Sequence, residues 1–77
     1  MHHHPMPPGF PVLQSVSPAV YHGIMEHAAG LSLRHVLYQT NAIAFLMGRG
    51  LPYPQALRTV ESWERNEQFP YFEGQPI

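Results

Sequence analysis

SLRHVLYQTNAIAFLMG, residues Ser32 to Gly48, is the stretch whose reading decides the fold. Ser32 is a strong N-cap residue, and Gly48 and Gly50 stand where a helix would stop, so a helix over 33–47 is expected. At about 100° per residue, Leu33, Val36, Leu37, Thr40, Ile43, Ala44 and Met47 share one face. His35, Tyr38, Ala42, Phe45 and Leu46 share a second face. Narrow polar seams part the two, with Arg34 and Asn41 on one side and Gln39 on the other. A helix that is apolar on two sides belongs at the centre of a fold.

Two further helical patterns flank this one. Ser17-Pro18 offers an N-cap followed by proline in the first turn, which predicts a helix over 18–29 that stops at Gly30. Its apolar face is expected to hold Val20, Tyr21, Ile24, Met25 and Ala28, leaving His22, Glu26 and His27 to solvent. Gly23 costs this helix about 1 kcal/mol relative to alanine, so it depends on packing. On the other side, Leu51-Pro52-Tyr53-Pro54 is a stiff connection into a third helix over 54–68. Ala56, Leu57, Val60 and Trp63 form its apolar face, while Glu64 and Glu67 intrude towards its end. Arg58 with Glu61, and Glu61 with Arg65, are spaced as helical ion pairs. Pro70 bars continuation.

The reading is an all-α fold: a small three-helix domain over 17–68, an extended Pro-rich N-terminal arm over 1–16, and an aromatic tail over 69–77. Pro5, Pro7, Pro8 and Pro11 support the extended arm, and Phe69, Tyr71 and Phe72 give the tail its character. No internal repeat is visible.

Composition excludes much chemistry. The 77 residues contain no cysteine, lysine or aspartate, so there is no thiolate metal site, disulfide, lysine Schiff base or phosphate-binding loop. A net charge of −1 from four arginines and five glutamates provides no global field for nucleic acid or an anionic membrane. The N-terminus shows no signal peptide and the apolar runs are too short to span a membrane, so a cytoplasmic protein is expected. Leu46-Met47-Gly48 followed by Ala56-Leu57 is similar to the loop and second helix of ubiquitin-associated domains. Arg49 departs from that family's aromatic, no third helix follows at the right distance, and nothing is carried over.

A domain this small ordinarily needs a metal, a disulfide or a partner, and the missing cysteines weaken or close the first two routes. The central helix offers more apolar surface than its neighbours can cover. Self-association is therefore expected, a homodimer first. The interface residues would be Leu33, Val36, Leu37, Tyr38, Ala42, Ile43, Ala44, Phe45, Leu46 and Met47. The functional expectation is a non-catalytic protein–protein interaction or adaptor module, or a small accessory subunit, with Phe69, Tyr71 and Phe72 as candidate anchors for another protein. No catalytic motif and no cofactor are expected.

Two readings from other classes stand beside it. A dimeric nucleic-acid-binding regulator would use the third helix with Arg34, Arg49, Arg58 and Arg65, although Glu61, Glu64 and Glu67 would repel phosphates. A metal-handling protein would use the terminal Met1-His2-His3 arrangement, with the His3 imidazole suited to square-planar copper(II) or nickel(II). His22 and Glu26, four residues apart, can also hold one ion from a single helix. His35 is read as a half-buried side chain bonded to a carbonyl or tyrosine, able to loosen a subunit contact when protonated.

Overall fold

The computed structural model describes residues 7–73, which form three α-helices and no strand: α1 Phe10–Ala28, α2 Leu33–Gly48 and α3 Tyr53–Glu61. The all-α, three-helix architecture agrees with the sequence pattern. Both α1 and α3 pack chiefly on α2 and scarcely on one another, which makes α2 the central element. Among the described residues no helix is long and apolar enough to cross a membrane.

The two interhelical turns have the same construction. Gly30 (φ 103°) and Gly50 (φ 109°) occupy the left-handed region, where a side chain would be strained. Leu31 N–H then donates to Glu26 O and Leu51 N–H to Leu46 O, each at 3.1 Å, closing a Schellman turn. Gly50, rather than Gly48, therefore ends α2. After the first turn, Ser32 caps α2 by accepting from His35 N–H at 3.1 Å. This short segment fixes both Glu26, at the end of α1, and His35, in the first turn of α2.

Helix α1 begins at Phe10, so much of the segment expected as an extended arm is helical. Gly9 turns the chain at φ 79°, and Pro11 occupies the first turn, where its missing N–H costs nothing. Pro18 lies inside the helix, on the same exposed side as Pro11 two turns earlier. The ladder bond lost at Pro18 is tolerated because this side of the helix, Gln14 included, is exposed, so the freed carbonyl can meet water.

The buried face of α1 is the reverse of the one expected. Ala19 and Gly23 are buried and His22 and Glu26 half-buried, whereas Val20, Tyr21, Ile24, Met25 and Ala28 are exposed. Close approach explains the reversal. A Cβ on Gly23 would stand 2.7 Å from Thr40 Oγ1 and 3.0 Å from Val36 Cγ1, so α1 lies against α2 at a distance only small residues permit. Gly23 is a packing contact as well as a propensity cost.

On α2 the inward stripe is His35, Val36, Gln39 and Ile43. Gln39, which the helical wheel puts in a polar seam, is fully buried, and His35 is buried rather than half-buried. Ala42, Ala44, Leu46 and Met47 are partly covered, while Leu33, Leu37, Tyr38 and Phe45 face outward. The apolar core is small: Ala19, Ile43, Ala56, Val60 and Phe69.

Helix α3 ends at Glu61, short of the expected Gln68. Asn66 (φ 55°) and Glu67 (φ 60°) both adopt positive φ, and Arg65 and Gln68 exchange backbone hydrogen bonds of 2.7 and 3.1 Å across them. This is the pattern of a tight type I′ reversal. It returns Phe69 to the core and brings Glu73 back beneath α2. Trp63 lies beyond the helix end and remains half-exposed.

Candidate functional site

Four of the five glutamates and two histidines converge at one end of the helices. Glu26 and His22 come from α1, His35 from α2, Glu61 from the last residue of α3, Glu64 from the segment just beyond it, and Glu73 from the returning tail. Among the described residues none of these carboxylates has an arginine within ion-pair distance; every ion-pair partner is a histidine. Arg65 turns instead to the backbone carbonyls of Ser62 and Glu64, so the ion pairs expected between Glu61 and its arginines are not formed.

His35 is the best defined member. Its Nδ1 lies 2.8 Å from Glu73 Oε2, and since a carboxylate only accepts, Nδ1–H is the donor. The same Glu73 oxygen accepts from Phe69 N–H at 2.8 Å. The imidazole is stacked on the Phe69 ring, with centroids 5.1 Å apart and planes 14° from parallel. Ring orientation and tautomer are therefore fixed, and Nε2 is directed at Glu26 Oε1 (3.6 Å) and Glu64 Oε1 (3.8 Å).

Those separations are too long for charge-assisted hydrogen bonds, which are about 2.7–2.9 Å. They lie close to the spacing of donor atoms that share an ion: ligands about 2.0–2.2 Å from a tetrahedral metal stand about 3.3–3.6 Å apart. His22 repeats the arrangement. Its Nε2 is 3.4 Å from Glu26 Oε2 and 3.9 Å from Glu61 Oε2. The donor atoms of His22, Glu26 and Glu61 all lie within 4.8 Å of one another. Buried His22 Nε2, Glu26 Oε1, His35 Nε2 and Glu64 Oε2 have no hydrogen-bond partner among the described residues. Unpaired polar atoms gathered this way cost stability unless a cation or proton joins them.

The electrostatics agree. Burial, the largest influence on His35, disfavours its charged form, but the hydrogen bond and charge of Glu73 with the charges of Glu64 and Glu26 outweigh it and raise the pKa. Burial raises the pKa of Glu64, and although the His35 charge opposes this, the Glu26, Glu61 and Glu73 charges add to it. Tyr53 is raised by burial and then by the charges of Glu61 and Glu26. All three shifts favour additional positive charge at this site.

Of the candidate residues from the sequence, His22 and Glu26 are brought together as the spacing requires, and Glu61 joins them. His3 lies outside the described residues. Arg34 and Arg49 flank opposite ends of α2, about 22 Å apart along its axis, so they share no compact basic surface with each other. Arg49 rests over the Phe45 ring, 5.7 Å from its centroid, and Arg58 is exposed on α3. Val36 and Ile43 are spent inside the chain rather than at an interface. Phe69 is likewise buried against His35 and is not a free anchor; Phe72 is 5.5 Å from Tyr38 but largely exposed, as is Tyr71.

The sequence reading missed His35, Glu61, Glu64 and Glu73 as one group. Glu64 had left a signal, because it intrudes on the apolar face of the third helix. No protein-family model, curated protein or solved structure matches this chain, so the functional reading rests on the geometry of the site.

Proposed function

We propose that this chain is a small non-catalytic helical module that binds a divalent transition-metal ion and uses it to tie its C-terminal tail to its helices. One observation carries the reading: buried His35 is held from behind by Glu73 while its Nε2 faces Glu26 and Glu64 at ligand spacing. A carboxylate behind a ligating imidazole is a common second-shell support, raising ligand basicity and setting the ring. Mixed imidazole and carboxylate ligands suit zinc(II), manganese(II) or iron(II); calcium prefers six to eight oxygens. The thermodynamic need is plain, since a core of two alanines, one valine, one isoleucine and one phenylalanine gives little burial energy. A bound ion supplies folding energy directly, and here it needs no cysteine.

The test uses the full chain with His2, His3 and His4 replaced by alanine, so that terminal imidazoles do not contribute. After chelation and desalting, zinc(II) and manganese(II) are titrated by calorimetry, with helicity followed by circular dichroism. Saturable binding is expected, weakened at least tenfold by the isosteric Glu64→Gln. A folded chain that binds neither ion would remove the proposal.

A second reading, self-association, has its own support. Val20 and Ile24 of α1 and Leu33 and Leu37 of α2 line an open groove, each about half exposed, and the lining contains no glutamate or arginine. The occupant it suits is a second copy of this chain, because two such grooves, whose polar members are His27, Thr40 and Asn41, can meet without burying a glutamate or an arginine. Light scattering should give a dimer mass that Ile24→Glu reduces to a monomer. A wild-type monomer at high concentration would exclude it.

A further inference from the structure

We infer that the site takes two metal ions rather than one, with the Glu26 carboxylate bridging them. This rests on the metal-binding reading and deepens it. The two oxygens of Glu26 are turned to different imidazoles: Oε1 to His35 Nε2 at 3.6 Å and Oε2 to His22 Nε2 at 3.4 Å. Each imidazole is then met by a second carboxylate, Glu64 just beyond α3 at 3.8 Å from His35 and Glu61 at the end of α3 at 3.9 Å from His22. Two half-sites result, each with one imidazole, one shared carboxylate and one carboxylate of its own, and the three donors of the His22 half-site all lie within 4.8 Å of one another.

Local geometry explains the pairing. His22 and Glu26, four apart on α1, lie on one side of that helix. Glu61 ends α3 and Glu64 follows three residues later in the turn beyond it, so one reaches each imidazole. A single carboxylate whose two oxygens bind different metals suits a separation of about 3.5–4 Å, the ordinary spacing of two-metal sites.

Charge points the same way. As ligands the two imidazoles are neutral, so Glu26, Glu61, Glu64 and Glu73 as carboxylates would together bring four negative charges. One divalent ion would leave two of these charges uncompensated, while two ions would balance all four.

The half-sites differ in access. The His35 side chain is 2% exposed, His22 25% and Glu61 45%. The His35 ion is thus the inner, slowly exchanging one. The His22 ion sits at the rim, exchanges faster, and keeps coordination positions open to water or a small anion.

Manganese(II) is the probe, because bridged and isolated ions differ in electron paramagnetic resonance. The 77-residue chain with His2, His3 and His4 changed to alanine is stripped and dialysed to equilibrium against buffered manganese(II). Metal per chain is then measured by mass spectrometry. Two ions per chain are expected, with a spin-coupled spectrum in place of the isolated six-line signal. His22→Ala and Glu61→Gln, both on the accessible side where refolding is least at risk, should each leave one ion and restore the six-line signal. One ion per wild-type chain, two uncoupled ions, or two ions still retained by both variants would overturn the bridge and leave the His35 site standing. No ion on a helical chain would overturn both.

Discussion

The two long sides of α1 invert the ordinary distribution of polarity. Ala19, Gly23, His22 and Glu26 face the body of the fold, while Val20, Tyr21, Ile24 and Met25 face out. Hydrophobicity alone ranks these residues the other way. What decides is that the inward side satisfies two stronger demands: helix contact at a distance only glycine allows, and delivery of His22 and Glu26 to a polar centre. Once those are met, the apolar side remains exposed beside Leu33 and Leu37.

The largest expected effect attacks the inward side. Gly23→Leu drives a side chain into Thr40 and Val36, whose atoms already stand 2.7 and 3.0 Å from an added Cβ. It should destabilise the chain by about 3 kcal/mol in urea unfolding, the upper part of the overpacking range. By contrast Ile24→Ala, on the outward side, should change the unfolding of the monomer by no more than about 0.5 kcal/mol. Equal effects at the two positions would break the comparison between faces.

Next comes the metal. With free zinc(II) at about one hundred times its dissociation constant, binding adds about 2.7 kcal/mol to folding, and a chelator removes it. Thermal melting with and without chelator measures the difference. A chain whose melting does not change would show that the inward polar side is stable without an ion. A smaller change is expected from Glu73→Gln, which keeps the shape of the tail but weakens the support behind His35. It should lower zinc affinity about 10- to 100-fold, as loss of a second-shell partner does. Affinity equal to wild type would show that Glu73 does not set the imidazole.

The local parts of this picture are legible in the sequence, and the convergent parts are not. Ser32 capping His35, the stop at Gly30, the central role of α2 and the His22–Glu26 spacing follow from residues within one turn or loop. The inward side of α1 escapes a hydrophobicity reading because Gly23 acts through what it lacks. Glu73 reaches His35 across 38 positions, by way of a reversal at Asn66-Glu67. Positive φ at two successive non-glycine residues is uncommon, so a helical pattern running on to Gln68 was the natural expectation there. Pro11 and Pro18 misdirect for a related reason: both lie on the exposed side of α1, where a missing donor is tolerated.

The smallest effect is also the one that separates a proton from a metal as the charge the site holds. The raised pKa values of His35 and Glu64 mean that the folded, metal-free chain binds both protons more tightly than the unfolded chain does. Their contributions are complete below the ordinary imidazole and carboxylate values and are lost as pH rises through the raised ones. Glu26 from α1, Glu64 beyond α3 and Glu73 from the tail face His35, with His22 and Glu61 next to Glu26, and no arginine among the described residues offsets them. In chelator, therefore, melting should rise from about pH 8 to about pH 6, across the titration of imidazole. With zinc(II) present the sign should reverse, because ligands must lose protons to bind the ion and acid competes for them. Melting that moves in the same direction with and without metal would mean that protons and ions do not share this site.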